Sequence, residues 1–192
     1  MSHKEQRGFC KWVKKLHPQY FKNVDVVDVG SLDINGNNRG LFSRSRYVGV
    51  DIINGNNVDV VGYAHEVLHQ IEFKERTPVW NHELSRIEEI SYCDVAISTE
   101  ALEHDKFWHL TLRSMYDKLR PLGLIIITCG GVGRSEHGTY TERPEDSPGT
   151  NDHYSNISNR MFESVLPPRL FKTYYLTQDE RNCDLQFFGI KY

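Results

Sequence analysis

No two cysteines in this chain form a C-x-x-C pair. Cys10, Cys93, Cys129 and Cys183 are scattered instead, which argues against a zinc knot or a disulfide framework and predicts reduced thiols. Long apolar runs are missing too: none approaches the roughly 20 residues that cross a bilayer. The first residues, MSHKEQR, lack the apolar core of a secretory signal, so a soluble, cytoplasmic protein without a membrane partner is expected. Nor does charge of one sign dominate. Lysine and arginine number 23 against 26 acidic residues, for a formal net charge of -3. With no basic stripe, nucleic acid is disfavoured as a partner. Repeats and low-complexity tracts are absent. Asn156-Ile157-Ser158 matches a glycosylation sequon, but no other feature points to secretion.

What is present suits one domain spanning residues 1–192: the chain is 39% hydrophobic, enough for a real core and too short for two. In the N-terminal segment, residues 1–23, Phe9, Trp12, Val13 and Leu16 recur at helical spacing, which predicts an amphipathic helix over 6–16 that Pro18 helps to end. Short branched apolar runs at 24–29, 47–50, 58–61, 94–97 and 124–128 read as strands buried on both faces of a parallel sheet. A second helix is predicted over 104–119, where Trp108, Leu112, Met115 and Leu119 share a face. Strand and helix in alternation indicate an α/β fold with crossover helices on both sides of the sheet. Residues 170–176 and 185–191 are joined by only eight residues, too few for a usual crossover, and should form an antiparallel hairpin. The glycine- and proline-rich stretch 130–156 is a loop long enough to be functional.

In a doubly wound sheet, ligands bind beyond the carboxyl ends of the strands. The first such end reads VVDVGSLDINGNNRG, residues 26–40, with Asp28 and Gly30 at the turn; the next reads YVGVD and ends on Asp51. A carboxylate there can accept both hydroxyls of a ribose. Ser31, Leu32, Asp33, Ile34 and Asn35 stand where a dinucleotide fingerprint needs its further glycines, so NAD fits poorly. S-adenosylmethionine has no phosphate, and its aminocarboxypropyl arm can be met by the backbone around Gly30 and by the Asp28 or Asp33 carboxylates. Either acid has an alternative as a turn-pinning or solvated group.

These segments, with DVAISTEALEH (94–104), LRPLGLIIIT (119–128), GRSEHGT (133–139) and PEDSPGTNDHY (144–154), resemble in order and spacing the class I S-adenosylmethionine-dependent methyltransferases, particularly the methyltransferase type 11-like domains. The resemblance covers about residues 24–184. It implies a Rossmann-like three-layer αβα sandwich with a mostly parallel seven-stranded sheet and an antiparallel C-terminal hairpin strand. It also implies a cofactor site from Asp28, Gly30, Ser31, Asp33, Asp51, Ile52, Tyr63, Thr99 and Glu100, with 130–156 as a substrate-side loop or lid. The chain departs from the family in its thinned glycine motif, in Leu122 where a glycine is usual, and in lacking the acid after strand three. Tyr63 stands near that position, either to pack on the adenine or as core.

A hydroxyl acceptor must lose a proton, and the loops after strands four and five carry the candidates. His137, His104 and Glu100 are the expected catalytic groups, with Arg134, Glu136, His137, His153 and Tyr154 expected on a small-molecule or glycan acceptor. Glu103 is expected to cap the helix that follows it or favour its positive end. Glu100, Glu103, His104, His137 and His153 have the donor types for a metal, but no spacing demands one and none is assigned. His3, His17, His65, His69, His82 and His109 read as surface or packing residues. Two rivals stay open: an N-methyltransferase acting on protein or nucleic acid, and a degenerate cofactor-binding or partner-binding domain.

Overall fold

The computed structural model describes residues 4–73, 76–81 and 86–192; His3 and His82 lie outside the described residues. The strands are β1 (Asp25–Val29), β2 (Arg46–Asp51), β3 (Val60–Val61), β4 (Arg76–Asn81), β5 (Arg86–Ser91), β6 (Cys93–Thr99), β7 (Leu119–Gly130), β8 (Phe171–Asp179) and β9 (Asp184–Lys191). The helices are α1 (Lys4–Leu16), α2 (Ala64–Val67), α3 (Trp108–Lys118) and α4 (Asn159–Val165). Seven strands form one sheet in the order β3-β2-β1-β6-β7-β9-β8. The pairs from β3 to β7 are parallel. β9 is antiparallel to both β7 and β8, so the expected C-terminal hairpin forms and inserts its second strand into the sheet.

Side chains alternate across a strand, and the alternation sorts this core into two layers. Val26, Val95, Ile97, Leu124, Ile126 and Phe188 pack with Phe9, Cys10 and Val13 of α1. Val27, Val29, Ala96, Ile125, Ile127 and Phe187 face the opposite way, toward Leu112 and Met115 of α3 and Phe162 of α4. The α1 side is thinly covered. Between β1 and β2 the chain makes only a 3-10 turn, Arg39–Leu41, and Arg39 secures it by bonding Asn57 and Asp59 and lying over the Tyr47 ring.

α3 ends at Lys118, just ahead of Arg120-Pro121. Leu122, at the family's glycine position, holds φ +63 with its side chain half exposed: the left-handed conformation is kept although the glycine is not. The hairpin of β4 and β5 pairs apart from the main sheet. It is not foreseen because Pro78 and the charged Arg86, Glu88 and Glu89 interrupt its apolar pattern. All four cysteines are free. Among the described residues no helix is long and apolar enough to cross a membrane.

Candidate active site

The strand order reverses between β1 and β6, and a cleft opens at their carboxyl ends, where such a reversal places ligands. It encloses about 1020 Å³, counting space open to solvent. Gly30 forms its floor at φ +74, and a Cβ there would lie 2.1 Å from the Ala101 Cβ, so no other residue fits. The amides of Gly30 and Ser31 both donate to the Val50 carbonyl. Asp51 completes the turn, its Oδ2 accepting from the Leu32 amide at 3.0 Å and its Oδ1 from Ile53 at 3.1 Å. Burial raises the Asp51 carboxyl and these amides oppose the rise. The Ile52 amide also reaches the carboxylate, whose roughly four acceptor positions still leave room for a ligand. Ile52 and the exposed ring of Tyr63 line the same cleft, and Tyr63 meets Phe107 edge-on at 5.6 Å.

Asp28 lies deeper than Asp51, opposite Gly49 and so two residues before the end of β2. Asp28 lies on the α1 side of the sheet, buried, and accepts a hydrogen bond from the Tyr47 hydroxyl. Burial pushes its carboxyl up to about 7, against that bond and Arg39. With Ser31, Asn38 and Thr99 it lines a small second cavity that shares Gly30 with the cleft. Asn38 donates to Thr99 Oγ1 at 3.0 Å, while Asp28 Oδ1, Ser31 Oγ and Asn38 Oδ1 are buried without a hydrogen-bond partner. Asp33 lines neither space: it accepts from the Gly36 amide and the Asn37 side chain, at 2.8 and 2.6 Å, and so holds the turn's shape.

The segment after β6 supplies the opposite wall. Glu100 follows the strand in the left-handed region, φ +54, with its carboxylate buried and lining the cleft. Burial drives its carboxyl well above the ordinary range, Glu103 adds to this, and Arg134 at 3.8 Å opposes it. Glu103 does not cap α3. Its Oε1 accepts from the Gly130 amide at 2.9 Å; ahead of α3, Asp105 takes the Phe107 amide at 2.7 Å and the Thr111 hydroxyl. His104 lines the cleft, and burial, with a smaller push from His137, brings it down to about 4, so it is neutral.

His137 is buried behind His104, with ring centroids 5.0 Å apart, and Tyr154 packs on both rings. Arg134 reaches Asp184 at 3.3 Å and the Asn182 carbonyl at 2.9 Å, tying the long loop to the start of β9. His153 is half buried, and Glu136 is exposed at a separate shallow surface with Arg143. Of the residues expected on an acceptor, none lines the cleft directly. The loop does so through Asp146, Ser147, Thr150 and Asp152 instead, and Asp152 pairs with Lys106 across the rim. These lay inside PEDSPGTNDHY, yet hydroxyl and acidic residues in a turn-rich loop carry no chemical signature. Asn38 carried no signal at all.

No family model and no curated protein matches the chain. Solved structures do. A SAM-dependent methyltransferase from Archaeoglobus fulgidus is 16% identical, the match covering 96% of this chain and 94% of that one, with TM-score 0.58. The 1,6-didemethyltoxoflavin-N1-methyltransferase of Burkholderia thailandensis, solved with 1,6-didemethyltoxoflavin and S-adenosylhomocysteine, is 15% identical over 96% and 78%, TM-score 0.53. Phosphoethanolamine N-methyltransferase 2 of Haemonchus contortus, in complex with S-adenosyl-L-methionine, is 16% identical over 96% of this chain and about half (52%) of its own, TM-score 0.57. At such identities the likeness establishes the fold, that of the class I SAM-dependent methyltransferases.

Proposed function

We propose that this chain is an S-adenosylmethionine-dependent methyltransferase whose acceptor is a hydroxyl of a small molecule or glycan. The observation that carries the reading is Asp51, an acid at the lip of the cleft that backbone amides hold in place while acceptor capacity remains for a ligand. Such an acid suits the two hydroxyls of a ribose. Ile52 and Tyr63 would flank the adenine. The buried acceptors beside Gly30, Asp28 Oδ1 and Asn38 Oδ1, suit the ammonium of the donor's amino-acid arm, and Ser31 its carboxylate. Bound there, the donor supplies an electrophilic methyl on a sulfonium.

Glu100 is the group we assign to the acceptor's proton. It lines the cleft, and burial raises its affinity for protons, the direction a general base needs. His104, neutral and only weakly basic, is less suited to holding that proton. The Lys106–Asp152 pair would close the rim and exclude water.

Calorimetric titration with S-adenosylhomocysteine tests the cofactor half: one site is expected, weakened at least tenfold by Asp51→Ala. Absence of binding at millimolar ligand overturns it and favours the degenerate-domain rival. Glu100→Gln should keep that binding and lower turnover by about 10²–10⁴ across a screen of hydroxyl acceptors. Nitrogen acceptors are the second reading, since two of the structural neighbours are N-methyltransferases; product formed only from amines would select it.

A further inference from the structure

Behind the cleft wall, Glu103, His104 and His137 each bring one ligand atom to within 4.8 Å of the others, and all three residues are buried. Three atoms no more than 4.8 Å apart share a point at most about 2.8 Å from each, roughly 0.7 Å beyond the bonds a bound divalent ion makes to imidazole and carboxylate. Small side-chain rotations close that gap.

The hydrogen bonds around the cluster leave lone pairs free. His137 Nδ1 lies 3.1 Å from the Ser135 carbonyl. A carbonyl only accepts, so Nδ1 carries the proton and Nε2 keeps its lone pair, buried without a partner. A backbone carbonyl on the far ring nitrogen is the usual support of a metal-bound histidine. Glu103 spends Oε1 on the Gly130 amide and leaves Oε2 buried and unpartnered; the His104 ring turns one nitrogen toward the His153 backbone, which leaves the other for a ligand. Orphaned polar atoms are rare inside proteins, and here they come from three touching residues.

We propose that Glu103, His104 and His137 form a binding site for a divalent transition-metal cation of the Mn2+, Co2+ or Zn2+ type. Two imidazoles and one carboxylate favour such borderline ions over Mg2+ or Ca2+, which prefer all-oxygen sites. The ion would join the segment after β6 to the loop 130–156 and fix that loop against the cleft. Gly138 makes the approach possible: at φ +68, a Cβ there would stand 2.7 Å from His104 Cε1. Binding does not depend on the methyl-transfer reading. Polarisation of an acceptor oxygen by an ion held through His104 rests on that reading.

The test is titration of the chelator-stripped full chain with Co2+, without donor or acceptor, followed by visible absorption and melting temperature. One equivalent should bind, with d–d bands and a higher melting temperature. His137→Ala and the near-isosteric Glu103→Gln should each weaken binding at least tenfold, while His109→Ala, at an exposed α3 position, should leave it unchanged. No Co2+ binding at millimolar concentration overturns the site, as does binding that survives Glu103→Gln or His137→Ala. Mg2+ binding as tight as Co2+ overturns the choice of metal class.

Discussion

Glu100 holds a backbone conformation that costs a non-glycine residue roughly 1–2 kcal/mol. Its amide is anchored to the Thr128 carbonyl at 2.8 Å, and its carboxylate is buried at the cleft. Strain of this kind persists where surroundings over-determine it, commonly at functional sites. Asp28 carries a different cost. Its folded carboxyl titrates at about 7 because of burial, well above the 3.8 of an exposed one. Between those values the folded chain binds more protons than the unfolded chain, so this group's contribution falls as pH rises and the loss is complete above about 7. Asp28→Asn, measured by calorimetry without ligand, should therefore match the parent near pH 4 and gain stability toward pH 8, by at most about 4 kcal/mol. An equal difference at both ends would refute the assignment.

The short helix α4 begins on a side-chain cap, Ser158 accepting the Met161 amide at 3.2 Å. Asn156 donates to the Arg134 carbonyl at 3.0 Å, so both ends of the apparent sequon have structural tasks. Ser158→Ala should destabilise by about 1 kcal/mol, a fall of about 2–4 °C in melting temperature, whereas Ser158→Thr should keep most of the cap. If Ala and Thr melt alike, capping is not what holds Ser158. The β1–β2 connection shows the converse: a 3-10 turn stands where a crossover helix would, and the Arg39 bonds to Asn57 and Asp59 do its anchoring.

Across the molecule, stability should follow the sheet. β1, β6 and β7 are central and buried on both faces, whereas β4 and β5 pair only with each other among the described residues. A lone two-stranded ribbon is marginal in water. Amide exchange in 76–81 and 86–91 should thus run at least about tenfold faster than in β6 and the 124–129 part of β7; comparable protection would mean the ribbon is packed against a partner.

Periodicity sufficed for the sheet strands, α1, α3 and the C-terminal hairpin, because alternation and helical spacing are local consequences of burial. Gly30 and Asp51 were legible for the same reason: a turn needing positive φ and an acid at a strand end are one-dimensional marks. What periodicity could not decide was which side chains share a space. Asp28 and Asp51 stand on adjacent strands with the same side-chain parity, Asp28 opposite Gly49, yet they serve different spaces because Asp51 lies two residues nearer the carboxyl end. Glu103, His104 and His137 converge although 33 residues separate the last two, because 130–156 folds back against the turn after β6. Contact at that distance depends on the path of a loop whose glycines and prolines state only that it turns, so the tertiary structure alone brought the cluster together.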